Sequence, residues 1–113
     1  MEDCLFCKII AGEIPSSKVY EDDDILAFRD IEPQAPVHAI IIPKTHIASA
    51  NDITAENSML IAGIFEKIPV IARELGVADS GYRIVNNCGA DAGQTVKHIH
   101  FHLLGGTTGG KLY

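Results

Sequence analysis

The sequence predicts a single α+β domain with five short strands, one long helix and one short helix. The chain has 113 residues, of which 47% are hydrophobic and 21% charged, a composition typical of one globular domain. Two stretches have helical spacing of apolar residues, at 4–12 and at 55–75. Five others have the length and composition of strands: 18–21, 25–31, 37–42, 81–86 and 99–104.

The first helix and the first hairpin follow from local signals. Leu5, Phe6, Ile9 and Ile10 cover one apolar face of the short helix, which Gly12 ends. Strands 18–21 and 25–31 form a hairpin around three consecutive aspartates at 22–24. We interpret that acidic turn as a solvated tip rather than a calcium site.

The third strand and the long helix supply the rest of the core. Residues 37–42 are apolar except for His38, and Pro43 closes the strand. Thr54 is the expected N-cap of helix 55–75, Gly76 its end, and Pro69 an expected kink. Its apolar residues predict a core or interface face rather than a cofactor site: Met59, Ile61, Ile64, Phe65, Ile68, Ile71, Ala72 and Leu75.

The last predicted strand carries three of the five histidines at every second position. Side chains alternate between the faces of a strand, so His98, His100 and His102 should share one face. The residues between them, Ile99, Phe101 and Leu103, are apolar and should face the core. A row of imidazoles indicates a functional site. His38 on the third strand is consistent with either a core or a functional residue.

The loop before this strand, residues 86–95, is small, polar and glycine-bearing. Backbone N–H groups in such a loop can approach an anion closely. A phosphate-binding loop that leads into a row of histidines predicts transfer of a phosphorus group through an imidazole. The net charge of −6 argues against binding to a nucleic-acid backbone but is compatible with a single nucleotide.

Two further patterns leave alternatives open. Phe28 and Asp30 share a face of the second strand, where the ring could contact a base and the carboxylate could accept from ribose hydroxyls. A packed ring and a strand-end carboxylate explain the strand equally simply. Cys4 and Cys7 form a C-x-x-C with no preceding strand, which favours a metal site over a redox pair and leaves buried free thiols possible.

No apolar run is long enough to span a membrane, and the acidic N-terminus does not resemble a signal peptide. We therefore expect a cytoplasmic protein with no membrane partner.

The segment Gly93-Gln94-Thr95, followed by His98-x-His100-x-His102 and Gly105-Gly106, resembles the histidine-triad (HIT) superfamily, and the glycine pair its Hint branch of nucleoside phosphoramidate hydrolases. The resemblance covers residues 4–106. We therefore expect a HIT domain at 1–106 and a flexible tail at 107–113. It implies a five-stranded antiparallel sheet and a homodimer whose two sheets join.

The resemblance also implies roles for individual residues. His100 matches the nucleophile, His102 the partner that contacts the phosphate and leaving group, and His38 and His98 the histidines that support them. Thr95 and Asn87 match residues near the phosphate, and Asp30 the ribose-binding carboxylate. The expected purine pocket and its neighbouring loop are Leu5, Phe6, Ile9, Phe28, Ile31, Gly93 and Gln94.

The resemblance implies a structural zinc ion as well, held by Cys4, Cys7, His46 and His98. Two thiolates and two imidazoles form a closed tetrahedral site, and the hydrolysis itself needs no metal.

The predicted function is hydrolysis of purine nucleoside 5′-phosphoramidates, conjugates of AMP or GMP with an amine, through a nucleotidyl-histidine. Alternatives are a dinucleoside polyphosphate hydrolase of the same superfamily, a nucleotide-binding scaffold, and a metal hydrolase whose ligands are the row of histidines. The short tail lacks the tryptophan of eukaryotic Hint proteins, so the leaving group stays open.

Overall fold

The computed structural model describes residues 3–110, so the predictions for 1–2 and for 111–113 lie outside it. The described chain forms the two predicted helices and five predicted strands. They are α1 (Leu5–Ile10), β1 (Lys18–Glu21), β2 (Ile25–Arg29), β3 (Val37–Pro43), α2 (Ser58–Glu74), β4 (Tyr82–Val85) and β5 (Phe101–Gly105). Two single 3₁₀ turns occupy Ala50–Asp52 and Ala90–Ala92. Within residues 3–110 no helix is long and apolar enough to cross a membrane.

The five strands form one antiparallel sheet in the order β1-β2-β3-β5-β4, which confirms the predicted fold class. β1 and β2 are joined by the acidic turn, where Oδ1 of Asp22 accepts from the backbone N–H groups of Asp24 at 2.8 Å and Ile25 at 2.9 Å. This Asx turn closes the hairpin. β4 lies at the opposite edge of the sheet from β1.

Successive side chains of each strand point to opposite faces of the sheet, and each of the two helices covers one of these faces. On one face, Ile64, Ile68 and Ile71 of α2 belong to a core with Phe101 and Leu103. On the other face, α1 contributes to a second cluster of Phe6, Ile9, Leu26, Phe28, Ile40 and Ile42. Burying each large apolar side chain contributes about 1.5–3 kcal/mol. The histidines discussed below lie on the α1 side.

Helix α2 begins later than predicted. Its N-cap is Asn57, which makes no side-chain capping bond. Instead, Oδ1 of Asn57 accepts from the backbone N–H of Thr54 at 2.7 Å, and the Thr54 carbonyl accepts from the Ser58 N–H at 2.8 Å. The prediction that Thr54 caps the helix is therefore wrong. The helix continues through Pro69, and its exposed apolar residues include Met59, 76% exposed, and Phe65, 50% exposed.

Strand β5 also begins later than predicted, at Phe101 rather than Ile99, and it ends at Gly105. The preceding backbone bonds to other partners: the Ile99 N–H donates to the Ile47 carbonyl at 2.6 Å, and the His100 carbonyl accepts from Nδ2 of Asn86 at 2.9 Å. The predicted alternation nevertheless persists. Ile99 is buried in the α2 core, whereas the rings of His98 and His100 pack on Phe6 from α1.

Candidate active site

Three histidines meet at the side of the sheet that α1 covers. The β3–β5 register pairs His38 with Leu104 and Ile40 with His102, so these side chains share one face. Nε2 of His38 lies 2.9 Å from Nδ1 of His102, and the rings of His100 and His102 are 5.1 Å apart between centroids. All three histidines line one cavity of about 590 Å³. Its walls include the predicted residues Leu5, Phe6, Ile9, Phe28, Asp30, Ile31, Asn87, Gly93 and Thr95.

The hydrogen bonds of His100 determine which of its ring nitrogens is free. Nδ1 lies 2.8 Å from the His98 carbonyl, which can only accept, so Nδ1 carries the proton. The neutral ring then has its lone pair on Nε2. Burial lowers the pKa of His100 below its ordinary value, which keeps the ring neutral at physiological pH. A buried neutral imidazole with a free Nε2 is a competent nucleophile.

The same reasoning assigns the other two rings. The backbone N–H of Gln34 donates to Nδ1 of His38 at 3.0 Å, so the proton of His38 is on Nε2. That N–H faces Nδ1 of His102 and, at 3.4 Å, Oδ2 of Asp30. His102 is therefore an acceptor at Nδ1 and carries its proton on Nε2. Burial lowers the pKa of His38 and takes that of His102 to about 4.

The ligand-type atoms of Asp30, His38 and His102 all lie within 4.8 Å of one another, a spacing that a metal ion could bridge. The tautomer of His38 opposes this. With the Gln34 N–H on Nδ1, a metal on Nε2 would require a ring that has lost both protons. This geometry argues against the metal-hydrolase alternative.

One side of the cavity is aromatic and carries one oriented carboxylate. The rings of Phe6 and Phe28 pack edge to face at 5.7 Å. Asp30 follows the last residue of β2, where its Oδ1 accepts from the Glu32 N–H at 2.8 Å. Ile31 is 94% exposed at the cavity wall, so it would contact a base only from the outer side.

The glycine-bearing loop is held by Gln94. Gly89 and Gly93 have φ values of 86° and 82°, a region that favours glycine. Oε1 of Gln94 accepts from the Gly89 N–H at 2.9 Å, and Nε2 donates to the carbonyls of Ala48 at 2.8 Å and Val96 at 3.1 Å. Gln94 is not among the residues that line the cavity. The geometry therefore gives it the role of fixing the loop, whereas its neighbours Gly93 and Thr95 line the cavity.

A cysteine–histidine cluster lies beside the row of histidines. The four ligand atoms of Cys4, Cys7, His46 and His98 lie within 4.8 Å of one another. Sγ of Cys4 is 3.4 Å from Nδ1 of His98, and Sγ of Cys7 is 3.4 Å from Nδ1 of His46 and 3.6 Å from that of His98. A tetrahedral zinc ion with ordinary bond lengths requires a sulfur–nitrogen separation of about 3.6 Å.

The protonation of this cluster also suits a metal. Nε2 of His98 donates to the Pro43 carbonyl at 2.8 Å, which leaves Nδ1 unprotonated toward the thiols. Burial raises the pKa of the Cys7 thiol to about 11. A bound cation would remove that proton, because a coordinating thiol is deprotonated by the metal. The four residues are thus positioned to bind a metal ion.

His98 contacts both groups. Its side chain lies in the cysteine–histidine cluster, and its carbonyl accepts the Nδ1 proton of His100. Any ion in the cluster would therefore fix the residue that orients the candidate nucleophile.

Two features of the site were missed from the sequence. The hydroxyl of Ser16, a residue that lines the same 590 Å³ cavity as the three histidines, is buried without a hydrogen-bond partner among residues 3–110. A second cavity of about 420 Å³ lies on the other side of His38 and His102, where Arg83, Thr107 and Thr108 contribute to its wall. The alternation of side chains along 81–86 could have predicted which face of the sheet Arg83 lies on. Only the pairing register of β4 with β5 places it beside the histidines.

The fold and site define a class: an antiparallel α+β domain with a row of histidines over a cavity of nucleotide size. The chain belongs to the HIT family, because the HIT domain model matches residues 11–109. It is 48% identical to the purine nucleoside phosphoramidase of Escherichia coli K12, over 93% of this chain and 88% of that protein.

Solved structures agree with this assignment. A HIT family hydrolase from Clostridium thermocellum superposes with a TM-score of 0.97 at 48% identity, covering 100% of this chain and 99% of that one. A HIT family hydrolase from Legionella pneumophila gives a TM-score of 0.90 at 53% identity, with 94% and 95% covered.

Proposed function

We propose that this protein hydrolyses the phosphorus–nitrogen bond of purine nucleoside 5′-phosphoramidates. The observation that carries the proposal is the 2.8 Å contact between Nδ1 of His100 and the His98 carbonyl, which can only accept, so that Nε2 is the nitrogen left free in the cavity. The name of the E. coli relative, a purine nucleoside phosphoramidase, supports the same substrate class. Phe28 would contact the base, and Asp30 would accept from the ribose hydroxyls.

In the first step, Nε2 of His100 attacks the α-phosphorus and the phosphorus–nitrogen bond breaks. The product is a nucleotidyl-histidine and a free amine. In the second step, water attacks the same phosphorus, the Nε2–phosphorus bond breaks, and the nucleoside monophosphate leaves with the water's hydroxyl. His100 returns to its neutral form, and the water's second proton passes to solvent or to His102. Splitting the reaction into two displacements is the ordinary advantage of covalent catalysis.

The departing amine needs a proton, and His102 is the group we propose to supply it. Its Nε2–H is directed away from His38, because Nδ1 is the acceptor in that pair. Burial is the main cause of the low pKa of His102. A bound phosphoryl anion favours the imidazolium form, in which Nδ1 is also protonated and the hydrogen bond from His38 is given up. It would raise that pKa toward the range in which the Nε2 proton of His102 can pass to the departing amine. Thr95 and the backbone of the glycine-bearing loop would bind the phosphoryl oxygens.

We propose that the ion of the cysteine–histidine cluster is zinc and that it is structural. Two thiolates and two imidazoles are the donor set that zinc prefers, and they leave no position for a catalytic water. When bound, zinc would hold Cys4, Cys7, His46 and His98 together and stabilise the start of α1 against the sheet.

We also propose a homodimer in which two sheets join. β4 is an edge strand, paired with β5 on one side only within the described chain. An exposed edge is a template for strand pairing with a second copy. The exposed rings of Tyr82 on β4 and Phe65 on α2 add apolar surface to the molecule.

The test is turnover of a fluorogenic adenosine phosphoramidate by the wild-type protein and by H100A. We expect H100A to lose at least about a thousandfold in kcat, because a deleted nucleophile leaves only binding and electrostatic effects. Rapid quench and mass spectrometry should detect a nucleotidyl adduct on His100 in the wild type. Equal turnover by both proteins would refute the proposal.

A parallel assay separates the alternatives of the same family. Faster hydrolysis of a diadenosine polyphosphate than of the phosphoramidate would favour the dinucleoside polyphosphate reading. Tight AMP binding by calorimetry without turnover of either substrate would favour the nucleotide-binding scaffold.

A further inference from the structure

The side chains of Asp30 and His38 lie next to each other across two strands. β2 and β3 pair Arg29 with Ala39. One position further along, the Asp30 N–H donates to the His38 carbonyl at 3.0 Å. Because residues opposite each other share a face of the sheet, Oδ2 of Asp30 lies beside the His38 ring, 3.4 Å from Nε2. The two side chains are only 19% and 3% exposed, so water and salt screen their interaction weakly.

The Nε2–H of His38 has two acceptors within reach. Nδ1 of His102 lies at 2.9 Å and Oδ2 of Asp30 at 3.4 Å. The shorter contact shows that His38 donates to His102 when both rings are neutral. The ligand-type atoms of all three residues lie within 4.8 Å of one another, so a small rotation of the His38 ring is enough to change the acceptor.

Protonation of His102 removes the first of these acceptors. In the imidazolium form both ring nitrogens carry protons, so an N–H of His102 would face the N–H of His38. His38 cannot relieve this by moving its own proton to Nδ1, because the Gln34 N–H already donates to that nitrogen at 3.0 Å. The Nε2–H of His38 must therefore find another acceptor, and Oδ2 of Asp30 is the one beside it.

The charge of Asp30 acts in the same direction. Among residues 3–110 no lysine or arginine forms an ion pair with this carboxylate. Burial lowers the pKa of His102, whereas the negative charge of Asp30 raises it. The titratable and charged groups that face His102 are His100 before it in the chain, His38 on β3, Asp30 after β2, and Arg83 on β4. Asp30 is the one group of this set that favours a positive ring.

Building on the proposed function, we infer that His38 moves its N–H hydrogen bond from His102 to Asp30 when His102 is protonated to serve the departing amine. Asp30 is then a positioning residue for the leaving-group proton, in addition to its proposed contact with the ribose. One carboxylate thus links recognition of the nucleoside to protonation of the amine.

The protons balance over the two steps. Nδ1 of His102 takes one proton from solvent, and Nε2 gives one proton to the amine nitrogen as the phosphorus–nitrogen bond breaks. In the second step Nε2 takes a proton from the attacking water, and loss of the Nδ1 proton to solvent restores the starting state. Asp30 only accepts a hydrogen bond throughout and keeps its charge.

The experiment separates this role from ribose binding. The first substrate joins 2′,3′-dideoxyadenosine 5′-monophosphate to an alkylamine, so it has no ribose hydroxyls and its leaving group needs a proton. The second is the p-nitrophenyl ester of the same nucleotide, whose p-nitrophenolate leaves without one. The variant is D30N. Its amide oxygen can still accept from the Glu32 N–H, whereas its NH₂ group cannot accept from His38.

The rate to measure is formation of the nucleotidyl adduct in a single turnover, with saturating enzyme. We expect D30N to slow the reaction of the dideoxy phosphoramidate at least about tenfold, because loss of a nearby opposite charge should lower the pKa of His102 by about one or more. The p-nitrophenyl ester should react within about twofold of the wild-type rate, since its leaving group needs no acid. With the phosphoramidate, the rate should begin to fall at a lower pH in D30N than in the wild type.

A second measurement does not depend on turnover. ¹⁵N NMR of the histidine rings with AMP bound should give a lower pKa for His102 in D30N than in the wild type. The matched control is E74Q, which removes a negative charge from an exposed residue at the end of α2 that lines neither cavity. It should keep the wild-type rates and the wild-type pKa of His102.

Three results would overturn the inference. Equal rates of wild type and D30N with the dideoxy phosphoramidate would show that Asp30 acts through the ribose alone. Equal slowing of both substrates would show that it does not act on the leaving-group proton. An unchanged pKa of His102 in D30N would exclude the exchange of hydrogen bonds. If the wild type formed no adduct and hydrolysed no phosphoramidate, the proposed function would fail, and the NMR titration would still decide whether Asp30 supports protonation of His102.

Discussion

Replacing Gln94 by alanine should test whether this residue holds the loop or binds the nucleotide. The change removes three hydrogen bonds: one from the Gly89 N–H to Oε1, and two from Nε2 to the carbonyls of Ala48 and Val96. At a net 0.5–1.5 kcal/mol each, the expected loss in free energy of unfolding is about 1.5–4.5 kcal/mol. Q94E should cost more at neutral pH, because its carboxylate would face two carbonyl oxygens.

The measurement is urea unfolding of wild type, Q94A and Q94E, with unchanged m-values as the criterion for comparable two-state transitions. Calorimetry with AMP supplies the second readout, under conditions in which each variant is folded. We expect AMP affinity to change by less than about tenfold, since Gln94 does not line the cavity. Unchanged stability in Q94A together with a complete loss of AMP binding would show that Gln94 contacts the nucleotide, as the sequence predicted.

Two further predictions concern protons and the metal. Burial takes the pKa of His102 to about 4, against about 6.5 in an unfolded chain, so the unfolded state binds more protons between these values. Stability should therefore fall by up to about 3 kcal/mol as the pH drops from 6.5 to 4, and urea midpoints of H102N should show a flatter pH dependence. Chelation of a metal from the cysteine–histidine cluster should lower the Tm, and C7S should lower it without further response to chelator; a Tm indifferent to both would contradict a structural ion.

The sequence predicted the elements well because their signals are local. The predicted alternation of side chains placed His98, Ile99 and His100 on the faces that they occupy, even though the regular strand begins only at Phe101. The boundary could not be predicted, because it depends on the side-chain amide of Asn86 binding the His100 carbonyl from another part of the chain. The side chains of Thr54 and Asn57 can each accept a hydrogen bond from a nearby backbone N–H at the start of α2. Residue type alone does not decide which of the two side chains does so.

The site was predicted unevenly for a similar reason. The family resemblance named the residues of the histidine row and of the cysteine–histidine cluster, and the structure brings each set together. It also named Gln94 as a nucleotide contact, which stays a prediction. Which way an amide turns depends on the carbonyls that surround it, and these come from Ala48 and Val96. The second cavity depends on the pairing of β4 with β5 and on the path of residues 107–110. Neither is encoded in a short motif.

The double use of His98 has a consequence for protein engineering. A catalytic strand transplanted into another scaffold would bring His100 and His102 with it. The His98 side chain, however, is held by Cys4, nearly a hundred positions earlier in the chain, and the peptide plane of its carbonyl is held by the bond from the Ile99 N–H to the Ile47 carbonyl. A graft that left Cys4, Cys7 and Ile47 behind would have to restrain His98 by other means, or the His100 ring would be free to exchange tautomers.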